Sequence, residues 1–208
     1  RQRQMCIRDR AGSVTKRNEK TAAAIFESLL LTGIAMSFTK TSRPGSGTEH
    51  IMAHFWECME LLDGKTPNYH GEDVGVTTLI MLRYYEALSR LPQVTAHPEV
   101  CNWDEIYRIY GPLAPDVQKL NTPDTITDGI APRRIEACWP EIRRIVQSVP
   151  SYDACLAAMR QAGCKTTIGE VGKAPDFVEI SFRFHPYMRR RLSLKRVSHM
   201  LDLPEPLF

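Results

Sequence analysis

The sequence has no uninterrupted apolar run of the ~18 to 20 residues that a membrane-spanning helix needs. Its longest such stretch, residues 25–38, is broken by Glu27, Ser28, Thr32, Gly33 and Ser37, so no transmembrane segment and no membrane partner are expected. An excess of one charge is also missing. The first ten residues, RQRQMCIRDR, carry four arginines and one aspartate, which is the whole of the formal +3, and the remainder holds 23 residues of each sign. A nucleic-acid partner is therefore not expected. Those ten residues have neither helical nor strand periodicity, and no apolar stretch follows the arginines as it would in a signal peptide. They read as an artefactual leader, and residues 11–208 as one folding unit.

Six cysteines stand at positions 6, 58, 101, 138, 155 and 164, with no C-x-x-C pair and no spacing that pre-forms a thiolate metal site. They are expected to be reduced thiols of a cytoplasmic protein, mostly packed in its core. No strand-turn-helix unit with a G-x-G-x-x-G phosphate loop is present, which leaves a nicotinamide dinucleotide without its usual seat in this chain.

What is present is helical periodicity. Helical spacings of three and four recur through Ala22, Ile25, Phe26, Leu29 and Leu30, through Met52, Phe55, Trp56, Met59 and Leu62, and through Val74, Thr78, Met81, Leu82, Tyr85 and Leu88. A further stripe runs through Ile135, Cys138, Trp139, Ile142, Ile145, Val146 and Val149. Pro150 and Ser151 end it and start another helix through Cys155, Ala158 and Met159, and residues 192–201 can close the set. Residues 92–132 hold six of the fourteen prolines and read as a long irregular connection with one short helix over residues 103–110. Residues 177–184 fit either a strand or a helix, and with no other strand in sight helix is preferred. The fold expected is an all-α helical bundle.

The segment that carries chemistry is SRPGSGTEHIMAHFWECMELLDGKTPNYHGEDVGV, residues 42–76. Pro44, Gly45 and Gly47 make a turn, and Ser46 or Thr48 can cap the helix that follows. His50 and His54 then lie four apart, and with Glu57 they fall opposite the apolar stripe, facing water or a polar cleft. His70 precedes the next helix. Two antiparallel helices joined by residues 63–68 would bring it back toward His50 or His54. Three imidazoles are a common donor set for a zinc-type ion, but on spacing alone solvated or hydrogen-bonded histidines are the commoner case, since the pair lacks the glutamate of H-E-x-x-H. The basic run Arg183, Arg189, Arg190, Arg191, Lys195 and Arg196 is expected to be a solvated face, and Trp56, Trp103 and Trp139 packing anchors.

The run SRPGSGTEH, the histidine four residues on, and HGE-x-V-G-V resemble the metal-binding half of the sn-glycerol-1-phosphate dehydrogenases. These belong to a superfamily with glycerol dehydrogenases, iron-containing alcohol dehydrogenases and dehydroquinate synthases. The resemblance is strong over residues 42–88 and continues more weakly from residue 133 to the end. It implies that the bundle is the C-terminal metal-binding domain of such an enzyme, with His50 and His70 as ligands of zinc or nickel and His54 contacting substrate. The third family ligand, an aspartate, and the domain that holds NAD or NADP would lie upstream, outside this chain. The reaction implied is interconversion of sn-glycerol 1-phosphate and glycerone phosphate, by a protein that is a homo-oligomer when full length and inactive as this chain alone. Arg43, beside the turn and the helix N-terminus, is the candidate for the phosphate of this small substrate. Neighbouring readings are a glycerol dehydrogenase, a dehydroquinate synthase, and an all-α interaction domain without catalysis.

Overall fold

The computed structural model describes residues 11–16 and 18–204; the leader expected over residues 1–10 lies outside them. Ten α-helices follow one another among the described residues: α1 Ala11–Val14, α2 Glu19–Thr39, α3 Thr48–Leu62, α4 His70–Ser89, α5 Trp103–Tyr110, α6 Ala114–Asn121, α7 Pro132–Val146, α8 Tyr152–Gln161, α9 Pro175–Phe184 and α10 Leu194–Val197. Short 3-10 turns stand at Gly111–Leu113, His185–Met188 and Ser198–Met200. No strand forms among the described residues beyond one isolated antiparallel bridge, Ala96 to Leu201. The protein is all-α, as its periodicity implies, and residues 175–184 are helical.

α3 and α4 form the centre. His70 meets Glu57, and Thr77 Oγ1 donates to the Glu49 carbonyl oxygen at 2.9 Å, so positions advance along one helix as they recede along the other. The pair is antiparallel. Met52, Phe55 and Trp56 from α3 and Val76, Met81, Tyr84 and Leu88 from α4 lose all or nearly all solvent contact. They pack with Ile106, Tyr110, Ile135, Trp139 and Phe184 into one core. The ring N–H groups left inside find acceptors: Trp56 Nε1 donates to Ser181 Oγ at 2.7 Å and Trp139 Nε1 to the Leu91 carbonyl at 3.0 Å. Losing either indole would cost about 3 to 5 kcal/mol.

The Pro-rich connection is more ordered than expected. α6 was not foreseen in it, because Pro112, Pro115 and Pro132 were read as breakers, whereas each sits in the first turn of a helix, where the missing N–H costs nothing. The cap of α3 also differs: Gly47 occupies the N-cap, and neither Ser46 nor Thr48 caps with its side chain. Instead the Glu49 carboxylate accepts from the Gly47 N–H at 3.0 Å. Leu62 is exposed, and the α7 stripe is buried only at Ile135 and Trp139, with Cys138, Ile145 and Val149 exposed. Among the described residues no cysteine is fully buried: Cys138 and Cys164 are exposed, and Cys101 packs against the edge of the core.

α2 corrects two expectations. Its 21 residues have a mean hydropathy of 1.6 over the best window, which makes it long and apolar enough to cross a membrane despite the polar interruptions. The stripe that should have marked a buried face is open: Phe26, Leu29, Leu30 and Phe38 are all exposed, and Thr21 alone is buried. Lys40, in the left-handed region at φ 52°, ends the helix.

The C-terminal basic run is likewise not a uniform solvated face. Arg196 is fully buried, its Nε 3.0 Å from Glu99, and Glu99 also accepts from Thr127 Oγ1 and Tyr187 OH. Lys195 is buried against the Phe182 ring. This ion pair anchors the segment after α9 to the loop before α5, and that segment carries Arg189 and Arg191 toward α3. Burial holds the His185 imidazole down at about 3, helped by Lys195, and holds His199 at about 4 against the pull of Glu99. Both are neutral in the folded chain near neutrality and take up a proton on unfolding, so the unfolded state binds more protons below pH ~6.5. Stability should therefore fall from pH 6.5 toward 4, by up to about 1.4 kcal/mol per pH unit for each histidine. Urea midpoints measured across that range should show this slope, and His185→Gln should make it shallower.

Candidate metal centre

α3 turns its apolar side to the core, and the residues left on the other side are His50, His54 and Glu57. The loop of residues 63–69 then returns the chain, and Asn68 fixes the turn by donating to Asp73 Oδ1 at 3.0 Å and to the Val171 carbonyl at 2.8 Å. Beneath it, buried Lys173 bridges Glu60 of α3 and Asp73 of α4. The first residue of α4, His70, consequently stands over the second half of α3.

Three imidazoles meet there. The ring centroids of His54 and His70 are 4.8 Å apart and nearly parallel, and those of His50 and His70 are 5.3 Å apart. Glu57 lies between two of them, with Oε2 2.9 Å from His54 Nδ1 and Oε1 2.5 Å from His70 Nδ1. His50 Nδ1 is 2.9 Å from Glu49 Oε1. An ionised carboxylate only accepts, so each Nδ1 carries a proton and donates it, an arrangement that in the neutral imidazole puts the lone pair on Nε2. Burial pushes the Glu57 carboxyl up, but the hydrogen bonds from His70 and His54 outweigh it and hold the group below its ordinary value, which keeps it ionised.

Carboxylates that fix the Nδ1–H tautomer are the usual companions of metal-ligating imidazoles. One atom each from His54, Glu57 and His70 also falls within 4.8 Å of the others, a direct donor set in its own right. The residues present thus fit a divalent ion. The structure brings together all three histidines singled out in the sequence, and adds Glu57 as the group that joins His54 to His70. Its signal was visible, since it shares the polar face of α3, but a carboxylate pairing with the next helix is a tertiary event.

Arg43 does not join them. Its side chain is exposed, its backbone N–H donates to Thr41 Oγ1 at 3.3 Å, and it is not among the residues of the adjoining cleft. That cleft, about 290 Å³, is formed by Ser42, Ser46, His50, Ile51, His54, Arg189 and Arg191. Its two arginines come from the segment after α9. Long-range 1H–15N NMR should show Nδ1–H imidazoles at His54 and His70, and Glu57→Gln should shift both histidines together while leaving His50 unchanged.

No family model matches the chain, and no solved structure matches it. Curated proteins do. A glycerol-1-phosphate dehydrogenase (NAD(P)+) of Geobacillus stearothermophilus is 27% identical over 205 residues, which is 99% of this chain and 44% of that protein. Its namesake in Geobacillus thermodenitrificans is 26% identical over 200 residues, 96% of this chain and 42% of the relative. One from Thermococcus kodakarensis is 41% identical over 64 residues, 31% of this chain and 17% of its own length. The chain spans less than half the length of these relatives. The resemblance carried by residues 42–54 and 70–76 therefore extends over nearly the whole chain, which is similar to part of the glycerol-1-phosphate dehydrogenases.

Proposed function

We propose that residues 11–208 are the helical metal- and substrate-binding domain of an NAD(P)-dependent sn-glycerol-1-phosphate dehydrogenase, interconverting sn-glycerol 1-phosphate and glycerone phosphate. The observation that carries this reading is the trio of imidazoles on two facing helices, each with Nδ1 engaged by a carboxylate and Nε2 left open. His50 and His70 hold the metal through Nε2, with Glu49 and Glu57 fixing their tautomers, and a third ligand comes from outside this chain. A divalent ion there, zinc or nickel, supplies Lewis acidity to the oxygen on the carbon that changes oxidation state.

His54 lies one turn along α3 and serves the substrate. Its Nε2 accepts the proton of a substrate hydroxyl, and Glu57 Oε2 stabilises the imidazolium through the Nδ1–H bond. In the reverse direction the same Nε2 returns the proton. The described residues contain no glycine-rich strand-turn-helix unit, so they do not fit a nicotinamide dinucleotide, and its binding belongs to a domain preceding residue 11 in a longer protein. The share of the relatives left unmatched supports this. The open apolar surface of α2 is then covered by that remainder in a cytoplasmic homo-oligomer, and is not a membrane anchor.

Equilibrium dialysis against zinc, with metal analysis, tests the assignment. His50→Ala and His70→Ala should each lower zinc affinity by at least about tenfold. His54→Gln should leave zinc bound and, in the full-length enzyme, lower kcat by roughly 10²- to 10⁴-fold. The closeness of His54, Glu57 and His70 favours a second arrangement, in which those three bind the ion directly. Loss of zinc in His54→Gln with retention in His50→Ala would select it. Zinc affinity untouched in all three variants would remove the dehydrogenase reading.

A further inference from the structure

The cleft beside the histidines has a cationic wall that the metal chemistry does not use. Arg191 reaches across from the segment after α9 to the loop before α3, donating from Nη1 to the Ser46 carbonyl at 2.8 Å and from Nη2 to Ser42 Oγ at 2.7 Å. Two of its five N–H donors are thereby spent on holding the loop, and the Ser42 hydroxyl, which accepts from it, keeps its own proton to donate elsewhere. Arg189 lines the same cleft, and its guanidinium makes no hydrogen bond or ion pair among the described residues. The backbone at Arg189 is extended, φ −139° and ψ 138°, so its side chain and that of Arg191 can share a face while Arg190 turns the other way. Arg190 does so, bonding the Leu120 and Asp124 carbonyls and the Asp124 carboxylate.

The acidic groups near the cleft do not neutralise this wall. Glu49 is engaged by His50 Nδ1 and the Gly47 N–H, and Glu57 by His54 and His70. The N-terminus of the fifteen-residue α3 opens beside Ser46 and adds its partial positive charge. We infer that Arg189, Arg191 and Ser42 form an anion site for the phosphate monoester end of the substrate, in the role that Arg43 was expected to fill. The inference rests on the proposed function for the identity of the substrate. His54 borders both this cleft and the imidazole cluster, so one small molecule can present its phosphate to the arginines and its reacting oxygen to the histidines. A volume of about 290 Å³ suits a ligand of that size, at the lower end of the ~300 to 1,000 Å³ of small-molecule sites. A guanidinium fork matches a tetrahedral oxyanion with two parallel donors, which a lysine does not.

The test titrates inorganic phosphate into the zinc-free 208-residue chain and follows the arginine Nε–Hε signals by NMR. Those of Arg189 and Arg191 should shift saturably. Arg189→Gln, an exposed position that leaves the fold unburdened, should raise Kd about tenfold or more, and Arg190→Gln should leave it unchanged. Equal Kd in Arg189→Gln and the parent, or equal weakening by Arg190→Gln, would overturn the site. Zinc affinity read on the same samples separates the two proposals. Phosphate binding without zinc affinity removes the dehydrogenase reading and leaves the anion site, and zinc affinity without saturable shifts at Arg189 and Arg191 removes the anion site alone.

Discussion

Two imidazoles from facing helices, His54 and His70, are held together because a single carboxylate lies between them, and His50 stands beside them on a carboxylate of its own. Glu57 accepts from His54 on its own helix and from His70 on the next, so the polar faces of α3 and α4 are tied at the point where their apolar faces enter the core. The tie works because the cost of partly burying the carboxylate is outweighed by two donors. Each of the three Nδ1 atoms is engaged by a carboxylate, and His50 and His54 border the cleft. The Lys173 bridge to Glu60 and Asp73 closes the same pair of helices with buried charge, where removing the lysine leaves two carboxylates uncompensated.

The second organising feature is the route of the chain after α9. Residues 185–200 return over α3 and are held by the Glu99–Arg196 pair, by Tyr187, and by the short bridge between residues 96 and 201. Such a buried cluster adds little net stability over an apolar replacement, yet it commits the segment to one path. That path puts two arginines beside the histidine cleft and turns a third away. A charge run that solvation alone would have left indifferent becomes a structured wall on one side.

The open face of α2 sets the chain apart from a self-contained globule. A helix apolar all round is stable in water only when something covers it. Its length and composition satisfy the criterion for a membrane span, while the match to dehydrogenases runs along nearly the whole chain, the helix included. The proposed enzyme reconciles the two by covering the helix with protein.

Much of this was legible in the sequence. The helices over residues 48–62, 70–89 and 103–110 are where their periodicity places them, because spacing of three and four is a local property that any amphipathic segment must obey. The meeting of His50, His54 and His70 was legible for the same reason, since a seven-residue loop between two such helices leaves one antiparallel solution. What was misread is non-local or depends on context. Prolines in first turns look like breakers until the helix behind them is seen, and the apolar stripe of α2 says nothing about what covers it. The cap at Gly47 depends on where the Glu49 side chain folds back. Arg191 of the cleft stands nearly 150 residues from the serines it holds. The sequence by itself determined the helices of residues 48–62 and 70–89 and the face on which the histidines lie, through periodicity alone. Only the tertiary structure decided that Glu57 joins His54 to His70 and that Arg189 and Arg191, not Arg43, border the cleft, because those contacts exist only once the core has fixed the path of the distant chain.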